Sequence, residues 1–165
     1  MTAAPLLWQS CEAMDETRAA LTPKLVDSLY TEAMLLADEA RAYFDQHGRV
    51  DRMALDPLVR VGFSCESLKV TARLMHIIAW LLTQKAVDAG ELTPAQAQRP
   101  ERQLGEPVVS DEEVLAQLPE SARALIRSST DLYERVNRLA EGGPPVGDAP
   151  QSPARSLLSR LERSL

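Results

Sequence analysis

The stretch from Asp56 to Gly90 constrains this chain more than any other. Asp56-Pro57 is a helix start, with an acidic N-cap followed by proline at the first helical position. From there about 33 residues run to Gly90 with no further proline. Within them Val61, Cys65, Leu68, Ala72, Met75, Ala79, Leu82 and Ala86 recur at alternating spacings of four and three. That is a heptad-like seam. Arg60, Ser64, Ser67 and Thr71 form a polar strip on another face, and it ends where LMHIIAWLL, residues 74–82, begins. In that segment only His76 is polar, so the second half of the helix has almost no wet side and needs cover on more than two flanks.

Two further helices provide part of that cover. Thr22-Pro23 predicts the start of helix one, which carries Val26, Leu29, Tyr30, Ala33, Leu36, Ala37, Ala40 and Phe44 as an amphipathic stripe and stops at Gly48. Thr93-Pro94 starts a short helix to about Ala97, and residues 99–109 read as a loop. Ser110 with Glu113 has capping-box spacing, and Asp111, Glu112 and Glu113 suit a helix N-terminus. Pro119 divides the region from there to Gly142 into a short helix, 111–117, and a longer one, about 120–141, which Gly142-Gly143 ends. No stretch alternates as a strand would.

The fold class is therefore all-α, a three-helix bundle with a long central helix. Residues 1–21 read as a flexible lead-in, 22–141 as the bundle, and 142–165 as a flexible linker, GGPPVGDAPQSP, followed by an amphipathic tail peptide, ARSLLSRLERSL. In that peptide Leu157, Leu158, Leu161 and Leu165 share one side if it coils, with Arg155, Arg160 and Arg163 elsewhere. A second copy of the chain is the simplest remaining cover for the central helix, which predicts a homodimer.

Charge and motifs narrow the function. The formal net charge is -6 with a pI near 5.0, which argues against direct nucleic-acid binding, because phosphate affinity needs clustered Lys and Arg. Aromatics are 4% of the chain, so the core has to be aliphatic. Cys11 and Cys65 lie far apart without a motif, as in a reducing cytoplasm, and the N-terminal residues carry no secretory pattern. The apolar run at 74–82 is far short of the ~20 residues of a membrane span. Cys65, on the seam, reads as a small hydrophobe.

No HxxxH, ExxH, CxxC, GxGxxG, P-loop or GxSxG spacing occurs, so no metal, cofactor or catalytic residue is expected and the protein reads as a non-enzyme. His76 has the spacing of an ordinary helix histidine. Glu66, three residues before Lys69 and seven before Arg73, reads as a surface ion pair or as a charged contact for a partner. Trp80 points away from the seam and is either a bundle residue or an interface anchor. The tail, with Leu157, Leu158 and Leu161, has the chemistry of a tethered peptide that docks in a partner's groove, or of a short helix that folds back on its own bundle.

One resemblance adds to this. In ESLKVTARLMHIIAWLLTQKAVDAGELT, residues 66–93, the residues Glu66, Ser67, Thr71, Arg73, Leu74, Met75, Trp80, Leu81, Leu82, Gln84, Ala86, Val87, Gly90 and Glu91 match the signature helix of the RcdA family, regulators of CtrA degradation in alphaproteobacteria. Tyr43, Gly48-Arg49 and Leu118-Pro119 extend the likeness over roughly 24–141, while Ala79 stands where the family commonly has Ser.

The resemblance implies a dimeric three-helix bundle that acts as a proteolytic adaptor. Such an adaptor helps deliver the response regulator CtrA and other substrates to the ClpXP protease, together with response-regulator and cyclic-di-GMP effector proteins, in the cytoplasm and at the cell pole. Glu66, Arg73, Trp80, Leu157, Leu158 and Leu161 are then the candidate partner-binding residues. The alternatives are a DNA-associated or signalling regulator without a proteolytic role, and a small-molecule enzyme built on Glu66, Arg73 and His76.

Overall fold

A computed structural model describes residues 6–142, with side chains from residue 22 onward. Trp8, Cys11, the linker and the tail leucines Leu157, Leu158 and Leu161 lie outside the described side chains. Among the described residues the fold is all-α, and no strand occurs.

Helix α1 spans Leu6–Ala42 and passes into a π-turn, Tyr43–His47, and then α2, Gly48–Met53. Its backbone runs helically through Pro23, where the sequence predicts a start. A proline removes only one N–H from the ladder, so Thr-Pro is compatible with either arrangement. The expected stop at Gly48 does not occur either. Gly48 has φ -71°, an ordinary helical value, so its missing side chain serves packing instead. A Cβ there would lie 2.9 Å from the Tyr43 carbonyl oxygen and 3.1 Å from the Phe63 ring. Phe44 packs edge-on against Phe63 at 5.4 Å, and the Tyr43 hydroxyl donates to Asp51 at 2.7 Å. Burial raises the Tyr43 phenol above its usual range, and its bond to Asp51 adds to this.

Helix α3, Pro57–Asp88, follows the predicted course and ends at Gly90, whose φ of +75° suits glycine. Helices α4, Pro94–Ala97, and α6, Glu120–Ala140, also fall where they are read in sequence, with Thr93 and Gln96 forming a complete capping box. Helix α5, Glu112–Leu115, is capped by Asp111, whose side chain accepts from the Glu113 N–H. The expected Ser110 cap is absent because the Ser110 hydroxyl is engaged elsewhere.

Helix α3 packs against both α1 and α6, which also touch each other. Val26, Leu29, Ala33 and Ala40 of α1 meet Phe63, Val70, Leu74, Ile77, Trp80 and Leu81 of α3 and the Ala122, Leu125, Ile126, Leu132, Tyr133 and Val136 stripe of α6. Exposed ion pairs, Lys85 with Asp27 and Arg135 with Glu32, tie α1 to the other two helices. Such pairs contribute at most ~1 kcal/mol each.

The heptad-like seam of α3 faces the other way. None of its eight residues belongs to the buried core. Val61, Leu68, Met75 and Leu82 are between 46% and 70% exposed, and Cys65 and Ala79 are exposed with them. The inner face of α3 is a second set with the same seven-residue repeat: Phe63, Val70 and Ile77 in one row, Glu66, Arg73 and Trp80 in another. The polar strip between them satisfies itself on the helix backbone. Ser64 donates to the Arg60 carbonyl at 3.1 Å, Ser67 to Ser64 at 2.7 Å, and Thr71 to Ser67 at 3.0 Å.

Candidate interaction site

Glu66 and Arg73 sit two turns apart on the inner face of α3, which places both among helices rather than at the surface. They are 1% and 2% exposed. A buried charge is tolerated only when paired and hydrogen-bonded, and here the partners come from three separate elements.

Lys69 donates to Glu66 Oε1 at 2.7 Å, and the Ser110 hydroxyl donates to Oε2 at 2.5 Å. Arg73 donates to Ser129 Oγ on α6 at 2.6 Å, to the Val108 carbonyl at 2.6 Å and, at longer range, to Ser110 Oγ at 3.3 Å. Ser129 in turn donates to the Ile126 carbonyl at 2.8 Å. Burial pushes the Arg73 guanidinium down from its ordinary range, and the Glu66 charge pulls it back up. The network therefore fastens the 103–111 loop to α3 and α6 at once.

The same loop is held at its other end. The Tyr133 hydroxyl donates to the Gly105 carbonyl at 2.7 Å. His76 is half-buried, its Nδ1 finds no hydrogen-bond partner among the described residues, and its ring lies directly under Gly105. A Cβ at Gly105 would fall 2.5 Å from that Nδ1, closer than real side chains approach. Gly105→Ala is therefore expected to push the loop off His76 and cost about 1–3 kcal/mol. Urea unfolding of the variant checks this, and unchanged stability would show that the loop can give way.

Above the network, α6 and residues 107–110 enclose an open groove of about 670 Å³. Val108, Val109, Leu115 and Ile126 give it apolar walls, and Arg73 reaches it from below. Glu112, Asp131, Glu134, Arg127 and Arg138 place charges of both signs along it. Of Glu66, Arg73 and His76, only Arg73 lines it. Among the described residues no group of His, Cys, Asp or Glu is placed to hold a metal, and no helix is long and apolar enough to cross a membrane.

Of the residues singled out in sequence, Glu66, Arg73 and Trp80 are interior and Leu157, Leu158 and Leu161 lie outside the described residues. Glu66 is not the surface ion pair its spacing with Lys69 suggests. Its carboxylate is buried. Ser110, Ser129 and the Val108 carbonyl were missed, because they meet α3 from 35 to 56 residues away and leave no local spacing to read.

Comparison with known proteins decides the lineage. The family model described as "Protein of unknown function (DUF1465)" matches residues 17–165. The chain belongs to this family, which is the RcdA family. RcdA from Caulobacter crescentus CB15, solved by crystallography, is similar at 34% identity with a TM-score of 0.58, covering 72% of this chain and 89% of the RcdA chain. No curated protein matches. The likeness read from residues 66–93 and the all-α fold are both carried by the RcdA structure.

Proposed function

We propose that this protein is a non-catalytic regulator of proteolysis, an adaptor that helps bring a response regulator such as CtrA to the ClpXP protease in the cytoplasm. The name of its RcdA neighbour implies regulation of CtrA degradation. The observation that carries the reading is the outward face of α3, an apolar stripe running the length of the longest interior helix and left uncovered by the bundle. Among the described residues the buried charges of Glu66 and Arg73 serve internal bonding while an apolar row faces out, which suits a protein that acts by contact.

The stripe is best covered by a second copy. Its large residues, Val61, Leu68, Met75 and Leu82, occupy one heptad row, and its small ones, Cys65, Ala72, Ala79 and Ala86, occupy the other. Two such helices running antiparallel set each large side chain against a small one, so every layer fills evenly and the backbones approach closely. A parallel pair would alternate crowded and hollow layers. A dimer of this kind presents two grooves and two tail peptides, and it works by raising effective concentration.

The reading predicts that adding the protein to purified ClpXP, its response-regulator partner and CtrA shortens CtrA lifetime several-fold. Removing residues 150–165 should leave the helical circular dichroism unchanged and abolish that acceleration. CtrA lifetimes indifferent to the full chain would overturn it.

A further inference from the structure

We propose that the groove over the Glu66–Arg73 network is the resting place of the chain's own segment 154–165. This deepens the adaptor reading, in which that segment faces the partner, but the docking can be tested without any protease.

Three observations meet here. The groove has the capacity of an ordinary peptide or ligand pocket, roughly 300–1,000 Å³, and Val108, Leu115 and Ile126 offer apolar contact. Asp131 and Glu134 lie along it three residues apart on α6, exposed, and neither forms an ion pair among the described residues. Of the groove's cations, Arg73 is engaged by Ser129 and the Val108 carbonyl, Arg127 has Glu120 at 4.0 Å, and Arg138 lies one turn beyond Glu134, at the end of the groove away from Asp131. The segment carries the complement: Leu157, Leu158 and Leu161 on one side if it coils, with Arg160 and Arg163 three residues apart beside them. Laid antiparallel to α6, it brings Arg160 to Glu134 and Arg163 to Asp131 while the leucines meet the apolar wall.

Reach is sufficient. From Gly142 back to Asp131 is about 16 Å along a helix. Residues 143–153 span about 18 Å as a coil and up to ~34 Å if proline keeps them extended. The tether holds the segment near the groove at an effective concentration of order millimolar, so weak docking is enough. The leucines supply most of the attraction, and the two arginines fix its direction. Docked, the segment is withheld until a competitor of the same chemistry, or a better groove, draws it out.

Hydrogen exchange on the full-length chain tests this. Leu158→Asp with Leu161→Asp should speed exchange of the 108–111 amides at least about 5-fold and leave residues 63–81 of α3 unchanged. Asp131→Lys with Glu134→Lys should do the same, and adding Arg160→Glu with Arg163→Glu to that variant should restore the slow rate. Protection should persist on dilution, since the contact is within one chain. Equal exchange in the tail variant, failure of the charge swap to restore protection, or protection that fades on dilution would each overturn the proposal, the last by assigning the groove to the tail of a second copy. A delivery assay that fails while protection stands would remove the adaptor reading and leave the docking in place.

Discussion

Arg73→Ala is expected to lower unfolding stability by about 3–5 kcal/mol, because it empties a buried side-chain site and leaves the Ser129 and Val108 oxygens without their charged donor. In a chain of this size that is a fall in Tm on the order of 10 °C. Three losses coincide. The Glu66 carboxylate keeps its bonds to Lys69 and the Ser110 hydroxyl but loses the field of the guanidinium. Ser129 loses its donor on the α3 side. The Val108 carbonyl, which anchors the loop, is released. Glu66→Gln with Arg73→Met removes both charges at nearly constant volume and should recover part of the loss, since neither buried charge is then left uncompensated by the other. Urea denaturation followed by circular dichroism measures both. A single variant as stable as the parent would show that the network does not hold the bundle, and a double variant worse than Arg73→Ala would show that the charges themselves are needed.

In the homodimer proposed above, Leu68→Glu with Met75→Glu is expected to separate the two chains. Both side chains sit on the outer face of α3, away from every core contact, so the helical signal and the melting curve of the bundle should survive. Placed in a dry antiparallel seam, unpaired carboxylates cost about 3–5 kcal/mol, which weakens association roughly 10²- to 10³-fold. Ala72→Phe approaches the same seam from the small row. It should also loosen the pair, because the bulk would hold two backbones apart. Analytical ultracentrifugation at micromolar concentration reads the mass. A parent protein that sediments as a single chain, or a Leu68/Met75 variant that keeps the mass of two, would overturn this use of the stripe.

Helix positions were largely legible because local chemistry sets them. Asp56-Pro57, Thr93-Pro94, Gly90 and Gly142 punctuate the chain much as the structure does. The inward face of α3 was not legible, and the reason is specific. Its true core row is interrupted by Glu66 and Arg73, which look like surface residues. The outer row of Val61, Leu68, Met75 and Leu82 is unbroken and looks like a core. Only the distant Ser110, Val108 and Ser129 make the charged row tolerable inside. Ser110 shows the same limit in miniature. Its spacing to Glu113 suits a cap, yet its hydroxyl satisfies a buried carboxylate, and Asp111 caps the helix in its place. Gly48 likewise reads as a stop until the Phe63 ring is seen against it.

Helix α3 is one rod bearing two records written at the same period. The bundle reads one side, and whatever lies outside reads the other. Inserting or deleting a single residue near its middle would turn everything beyond it by about 100°, throwing both sides out of phase together. Length changes in this helix can therefore be accommodated only in steps that restore its phase, such as about seven or eleven residues, and the inner and outer surfaces of the protein must change as a pair.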